Sequence, residues 1–361
     1  MEVKTFKPEH TDHPGKLLEV RLTEMSMGPK ELAMRLGKAE KTIFAILNGN
    51  SPITREMAFL LESVVQTPAN FWIKAQNSYD DYTMFTQRQK ELKESETWTQ
   101  EFPVAAMARL GWIPKSTTWL DKTQALFHFF GVTSKQSWEN IYINQELKAQ
   151  FRISLKHDIK HYAISAWLRK GEIQAKEMTV QTYSESVFKE KLVEIKQLAI
   201  AGNVLFWNRL KELCAEAGVK LIYTPMLEKA PISATARWLD DVPVIQITDR
   251  GKRYDTFWFN FFHEAAHILL HGKRDVFLKD VEYNEKDMEK ENEANEFAVK
   301  WLFSREDEEK FIQQGDFSPM AILRGAREFG THQTFIEERL VNVDIIKNYE
   351  TKFRMHLEII D

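Results

Sequence analysis

The sequence predicts a mainly α-helical protein with a smaller α+β part, and three observations carry that prediction. Residues 13–72 hold short amphipathic helices punctuated by Gly37 and by Asn48-Gly49-Asn50. Residues 220–248 alternate between apolar runs and turns, which reads as strands. Residues 257–271, FWFNFFHEAAHILLH, and 286–303, KDMEKENEANEFAVKWLF, have helical periodicity. A chain of 361 residues, 43% hydrophobic and 28% charged, can bury a large core and divides into two or three domains. It shows no internal repeat and no low-complexity tract.

Several functional classes are disfavoured at once. A net charge of −4 argues against nonspecific coating of nucleic acid. No apolar run reaches membrane-spanning length, and the N-terminus lacks the apolar core of a signal peptide. The single cysteine, Cys214, sits in the helical pattern LKELCAEAG, reads as packing and allows no intramolecular disulfide. The expectation is a cytoplasmic protein with no membrane partner.

In the first segment, Leu17, Leu18 and Leu22, then Leu32, Ala33 and Leu36, then Ile43, Ile46 and Leu47, then Ala58, Leu60 and Leu61 mark the inner faces of four helices. Gly37 falls between the second and third, as a helix-turn-helix requires, and Asn48-Gly49-Asn50 ends the third with a left-handed cap. The third helix, about 39–48, would enter a major groove by its N-terminal residues. This stretch resembles the Xre/Cro-type helix-turn-helix, and with its opening His13-Pro14-Gly15 the HigA-like antitoxin branch. That resemblance implies operator DNA, bound as a homodimer, and a cognate toxin as partners. Lys41 and Thr42 are the candidates for the groove, Lys30 and Lys38 for phosphates. Ala39, Glu40 and Phe44 depart from the small polar or basic residues common in relatives. The basic patch is modest: Lys30, Arg35, Lys38, Lys41 and Arg55 stand against Glu31 and Glu40.

Residues 87–97, QRQKELKESET, read as a solvated helix or linker. Trp98, Trp112, Trp119, Trp138 and Trp167 follow and are expected to form an aromatic core joining the two ends, with a ligand-sensing pocket as the alternative. Among the strands, Val242, Val244, Ile245 and Ile247 favour β structure, while Pro243 marks a strand start or an edge. Residues 236–239, with Arg237 and Trp238, are candidates to pair with an extended substrate; a simple buried hairpin is the alternative.

The helix at 257–271 contains His263-Glu264-Ala265-Ala266-His267. Residues four apart on a helix lie about 40° apart with roughly 6 Å of rise, so both imidazoles can bind one Zn²⁺. Glu264 stands beside them as general base. Phe257, Trp258, Phe259, Phe261 and Phe262 make the helix apolar nearly all round. Burying two histidines and a glutamate there costs several kcal/mol unless they are paired or metal-bound. His271 lies about 12 Å along the axis from His263, too far to share the ion, and reads as favouring the helix C-terminus before Gly272. Leu270 and Lys273 rule out the longer motif with a third histidine.

The third ligand is therefore expected from the next helix. There Ala294, Phe297, Ala298, Trp301 and Leu302 define a core face. Glu291 lies about 50° from its centre and Glu293 about 110° away. Glu291 is the better ligand, with Asn295 one turn on to orient a ligand histidine. Glu293 and Glu296 read as a solvated face. HEAAH followed by ENEANEFA resembles the ImmA/IrrE metallo-endopeptidases, from about residue 190 to the C-terminus. The likeness takes in LKELCAEAGVKLIYTPML, ARWLDDVPVIQIT and FGTHQTFIEERL, and departs at Phe303-Ser304-Arg305, where relatives close the second helix with Leu and Pro. The resemblance implies a zincin-like fold with His263, His267 and Glu291 on zinc and Glu264 as base.

The resulting expectation is a helix-turn-helix domain at 1–78, a helical connector at 79–190 and a zinc endopeptidase domain at 191–361. Its substrate would be a protein such as a transcriptional repressor. His332, Tyr254, Arg237 and Trp238 are candidate oxyanion or substrate contacts. The rival is a non-catalytic antitoxin or repressor whose zinc domain serves as sensor or scaffold. The general base at Glu264 favours the enzyme, since a structural zinc site has no use for one.

Overall fold

The computed structural model describes residues 8–150, 160–271, 277–278, 285–357 and 359. Gly272 and Lys273, invoked above for the helix end and the longer histidine motif, lie outside the described residues. The fold is mainly helical with one small sheet, and contacts divide the chain into two compact units, 1–96 and 97–361.

The first unit holds α1 (Pro14–Glu24), α2 (Pro29–Leu36), α3 (Glu40–Leu47), α4 (Arg55–Val65) and α5 (Ala69–Glu94). The opening His13-Pro14-Gly15 has a clear physical role. His13 is the N-cap of α1, and its Nδ1 accepts from the Gly15 N–H at 3.0 Å. Pro14 takes the first helical position, where no N–H is needed. Gly15 lies so close to α3 that a Cβ there would fall 2.0 Å from the Ile46 carbonyl oxygen. Gly37 ends α2 at φ +63° and Gly49 follows α3 at φ +73°, the left-handed caps the sequence predicts. Leu18, Leu22, Leu32, Ala33, Leu36, Ile43, Ile46, Ala58 and Leu61 form the core with Met57, Val65 and Trp72. Leu17 is the exception to the predicted core and faces solvent. The charged stretch at 87–97 largely continues α5, a single helix of 26 residues.

The second unit begins with α6 (Glu96–Gln100), α7 (Val104–Arg109), α8 (Trp119–Phe130), α9 (Lys135–Trp138) and a π-helical segment, Glu139–Gln150. Trp98 stacks on Phe127 and Trp138 on Tyr162, with ring centroids 5.0 and 5.1 Å apart. The aromatic core is thus real, but it belongs to this unit, and two of its expected members stand apart. Trp119 is exposed, and Trp167 belongs to α10 (Lys160–Glu177), which packs on the sheet.

Beyond α11 (Glu185–Ile200) and α12 (Trp207–Glu216) come β1 (Lys220–Tyr223), β2 (Ala234–Leu239) and β3 (Val242–Ile247). With β4 (Phe277–Leu278) they form a sheet in the order β1-β3-β2-β4. β1 runs parallel to β3, and the other pairs are antiparallel. Asp240 and Asp241, both at positive φ, make the two-residue turn of the β2–β3 hairpin. Pro243 is tolerated in a central strand because it stands opposite Trp238, one position before β1 joins at Val244. Counting outward from the turn, that pair exchanges no hydrogen bonds, so the missing N–H breaks no rung.

Both sheet faces are covered. Ala234, Ala236, Ile245 and Ile247 face the main core, which includes α13 (Tyr254–Leu270). The opposite face carries Ile222, Val244, Thr235, Arg237 and Gln246, and α10 lies against it. Gly171 permits the approach, since a Cβ there would strike the Gln246 amide. Gln246 donates to the Trp167 carbonyl and to Thr224 Oγ1, and Trp167 Nε1 donates to the Thr224 carbonyl. On the other side, α13 packs on α14 (Glu285–Leu302), with Phe262 stacked on Trp301 at 5.6 Å. The chain then runs through α15 (Arg305–Gln313), α16 (Pro319–Glu328) and α17 (Gln333–Asn342). At Phe303-Ser304-Arg305, Ser304 caps α15 by accepting from Asp307 N–H.

Candidate metal centre and DNA-reading helix

α13 is buried on nearly every side because it lies between the sheet and α14. That position removes His263, Glu264 and His267 from solvent. Glu291, in the second turn of α14, is carried to the same point. His263 Nε2 and His267 Nε2 are 3.1 Å apart. Each lies 3.3 Å from a carboxylate oxygen of Glu291. Four-coordinate zinc with N and O donors at about 2.0–2.1 Å places neighbouring donor atoms about 3.4 Å apart. Two imidazole nitrogens and a carboxylate at these separations therefore suit Zn²⁺ in both donor chemistry and spacing. Among the described residues, this is the group of three His, Cys, Asp or Glu whose donor atoms converge, all within 4.8 Å.

Protonation is consistent with ligation. Burial pushes His267 down to about 4, against the opposing pull of Glu291, so its ring is neutral at pH 7. Burial would raise the Glu291 carboxyl, but hydrogen bonds from His263 and His267 outweigh it and hold the group at about 2. A neutral imidazole and an ionised carboxylate are the forms in which these groups bind metal.

Glu264 follows His263 on α13 and is fully buried. Asn295 is half-buried on α14, one turn beyond Glu291. Glu293 and Glu296 are exposed as expected, yet both are engaged: Glu296 pairs with Arg305, and Glu293 lies 3.0 Å from His271. His271 in turn sits 2.8 Å from His267, Nδ1 to Nδ1, with its side chain only 2% exposed. It stands at the helix end as expected, and there it also contacts a candidate ligand. The 263–267–271 spacing was the signal for it.

Of the candidate oxyanion and substrate residues, Tyr254, His332 and Arg237 are buried and bonded within the fold, and Trp238 is half-buried. Tyr254 is wholly buried, and its hydroxyl donates to the Ala199 carbonyl at 3.0 Å. His332 is the N-cap of α17, accepting from Thr334 N–H, with its ring against Tyr254 and Phe335. Arg237 points away from α13, donating to the Leu168 carbonyl at 2.6 Å and to Glu172. Trp238 meets Tyr183 edge-on. The expected substrate edge is also partly occupied, because β4 pairs with β2 at Thr235 and Ala236.

In the first unit, α3 presents Glu40 and Lys41 at its exposed start, with Thr42 half-buried. Lys30 lies 3.8 Å from Glu40, and Lys38 is 2.6 Å from Glu56, whose carboxyl it holds below its ordinary range. Arg35 is paired with Glu31. The basic patch is thus internally balanced at three of its positions. Exposed pairs of this kind are worth about 0–1 kcal/mol, so a phosphate can displace them.

Comparisons with known proteins agree with this two-part picture. The peptidase family M78 model, the IrrE N-terminal-like domain, matches residues 214–340, which include every candidate ligand and Glu264. An uncharacterized HTH-type transcriptional regulator of Escherichia coli (strain K12), YddM, is 27% identical over 74 residues, 20% of this chain and 79% of that protein. Among solved structures, an addiction module antidote protein of a HigA family from Coxiella burnetii is 29% identical, covering 25% of this chain and 95% of its own, with a TM-score of 0.22. The Pseudomonas aeruginosa antitoxin HigA with higBA promoter is 28% identical, covering 24% and 94%, also with a TM-score of 0.22. The class is thus a regulator-type helix-turn-helix module joined to a peptidase-family domain. That domain, at residues 214–340, is IrrE-like. Among the described residues no helix is long and apolar enough to cross a membrane.

Proposed function

We propose that this protein is a DNA-binding regulator whose C-terminal part is a zinc-dependent endopeptidase acting on a protein substrate such as a transcriptional repressor. The observation that carries the reading is the convergence of His263 Nε2, His267 Nε2 and the Glu291 carboxylate, with Glu264 next to the first ligand on the same helix. His263, His267 and Glu291 would hold the ion. Bound there, Zn²⁺ would polarise the scissile carbonyl and make water acidic enough to be deprotonated near neutral pH. Glu264 takes the proton from the attacking water and delivers it to the leaving amine nitrogen. The packed walls of the sheet, α13 and α14 keep the ligands rigid. The working division is a DNA-reading part at 1–78, a connector at 79–190 and a peptidase part at 191–361, with the connector's α10 built onto the sheet. At the DNA-reading part, Lys41 and Thr42 face the groove while Lys30 and Lys38 meet phosphates.

Glu264→Gln tests the chemistry, because the amide keeps the shape but cannot take a proton. Candidate repressors are co-expressed with either form. The expected result is cleavage by the wild type only, with the variant still holding zinc. Equal cleavage by the Gln variant would contradict the assigned base.

A further inference from the structure

We infer that His271 and Glu293 form a relay that fixes the ring of His267 and thereby sets the affinity of the metal centre; the inference rests on the zinc reading above. His267 has two ring nitrogens with different tasks. Its Nε2 points at His263 and Glu291; without metal it can donate to Glu291, but as a metal ligand that atom must carry the lone pair. The proton of the neutral ring then sits on Nδ1. That N–H meets His271 Nδ1 at 2.8 Å, so His271 accepts there. Its own proton is thereby assigned to Nε2, which donates to Glu293 Oε2 at 3.0 Å. One set of neutral tautomers satisfies both contacts, and the chain ends on a carboxylate.

The arrangement also joins the two ligand-bearing helices. His271 stands just past the end of α13, where the rotation of the last turn is least constrained, and its buried side chain is tied to α14 through Glu293. Glu291 and Glu293 thus reach α13 from the same helix, one at the ligand cluster and one behind it. A ligating histidine whose other nitrogen is held by an acceptor is better oriented and more basic, and losing such a partner commonly weakens metal binding 10–100-fold. Glu293 is 64% exposed, so water can partly replace it, whereas the His271 ring is 2% exposed and has no such substitute.

The test uses the full chain, stripped of metal and titrated with Zn²⁺ against a chromophoric chelator. The electronic spectrum of the Co²⁺-loaded protein gives a readout of ligand geometry. His271→Leu removes the acceptor and should weaken Zn²⁺ binding about 10–100-fold and alter the Co²⁺ spectrum. His271→Asn places its side-chain oxygen where Nδ1 was and should restore most of the affinity. Glu293→Ala should fall between wild type and His271→Leu. Unchanged affinity in His271→Leu, or an Asn variant as weak as the Leu one, would overturn the relay while leaving the metal centre standing. A wild type that takes up no Zn²⁺ would overturn both.

Discussion

At the scale of single residues, what distinguishes this chain is how few atoms separate a packing role from a chemical one. His263 and His267 are nearly as buried as the phenylalanines beside them, and only the direction of two nitrogens toward Glu291 marks them as a candidate donor set. Those positions were legible in advance, because helix geometry fixes which side chains share a face. The angular placement that preferred Glu291 to Glu293 agrees with where the structure puts each carboxylate. The fate of His332, Tyr254 and Arg237 was not legible, since a polar side chain near a motif looks the same in sequence whether it faces substrate or a carbonyl from another element. Gly15 gives a test at this scale. Its missing Cβ is what lets α1 meet the Ile46 carbonyl, a backbone atom with little room to move. Gly15→Ala should destabilise the first unit by about 1–3 kcal/mol, the usual cost of overpacking. Hydrogen exchange of α1 and α3 amides in the full chain measures it, and wild-type protection in the variant would contradict the contact.

At the scale of elements, two helix ends lead to further predictions. The N-cap of α1 is an imidazole, and burial lowers the pKa of His13 from its ordinary value of 6.5, with Asp80 pulling the other way. A folded value below the unfolded one means that the neutral ring is favoured by folding. Its contribution is complete above about pH 6.5 and is lost as pH falls through the folded value. Protonation also puts a hydrogen on the nitrogen that accepts from Gly15, so the cap itself is lost. Protection of α1 should drop between pH 7 and pH 5 in the wild type, and less in His13→Asn, which caps without titrating. Equal pH dependence in both would exclude His13 as the cause. The N-terminus of α3 is the other such end. Glu40 sits there 3.8 Å from Lys30, and its charge opposes a phosphate approaching the helix start. Glu40→Arg should tighten binding of the full chain to DNA from its own promoter at low salt and steepen the salt dependence. Loss of preference at a single base position, without general tightening, would instead identify Glu40 as a reader of cytosine. The four short helices and their glycine caps were readable because their periodicity is local. The attachment of α10 to the sheet was not, because Gly171, Gln246 and Thr224 are far apart in sequence and none belongs to a recognisable pattern.

At the scale of the whole molecule, two units of different character share one chain, one a compact helical module and the other a mixed layer structure around α13. The sheet is covered on both faces, so Arg237 and Gln246 on the second face bond to α10 carbonyls instead of water. The first unit's ion pairs partly balance its basic patch, so the DNA reading proposed above would depend on specific contacts more than on net charge. Everything chemical in the account depends on the second unit holding a metal between α13 and α14. The most direct test is elemental analysis of the purified full-length protein beside His267→Ala and Glu291→Ala. The wild type should hold close to one zinc per chain and either variant little, with all three equally folded by circular dichroism. Near-stoichiometric zinc surviving in both variants, or a well-folded wild type that cannot be loaded with zinc, would contradict it.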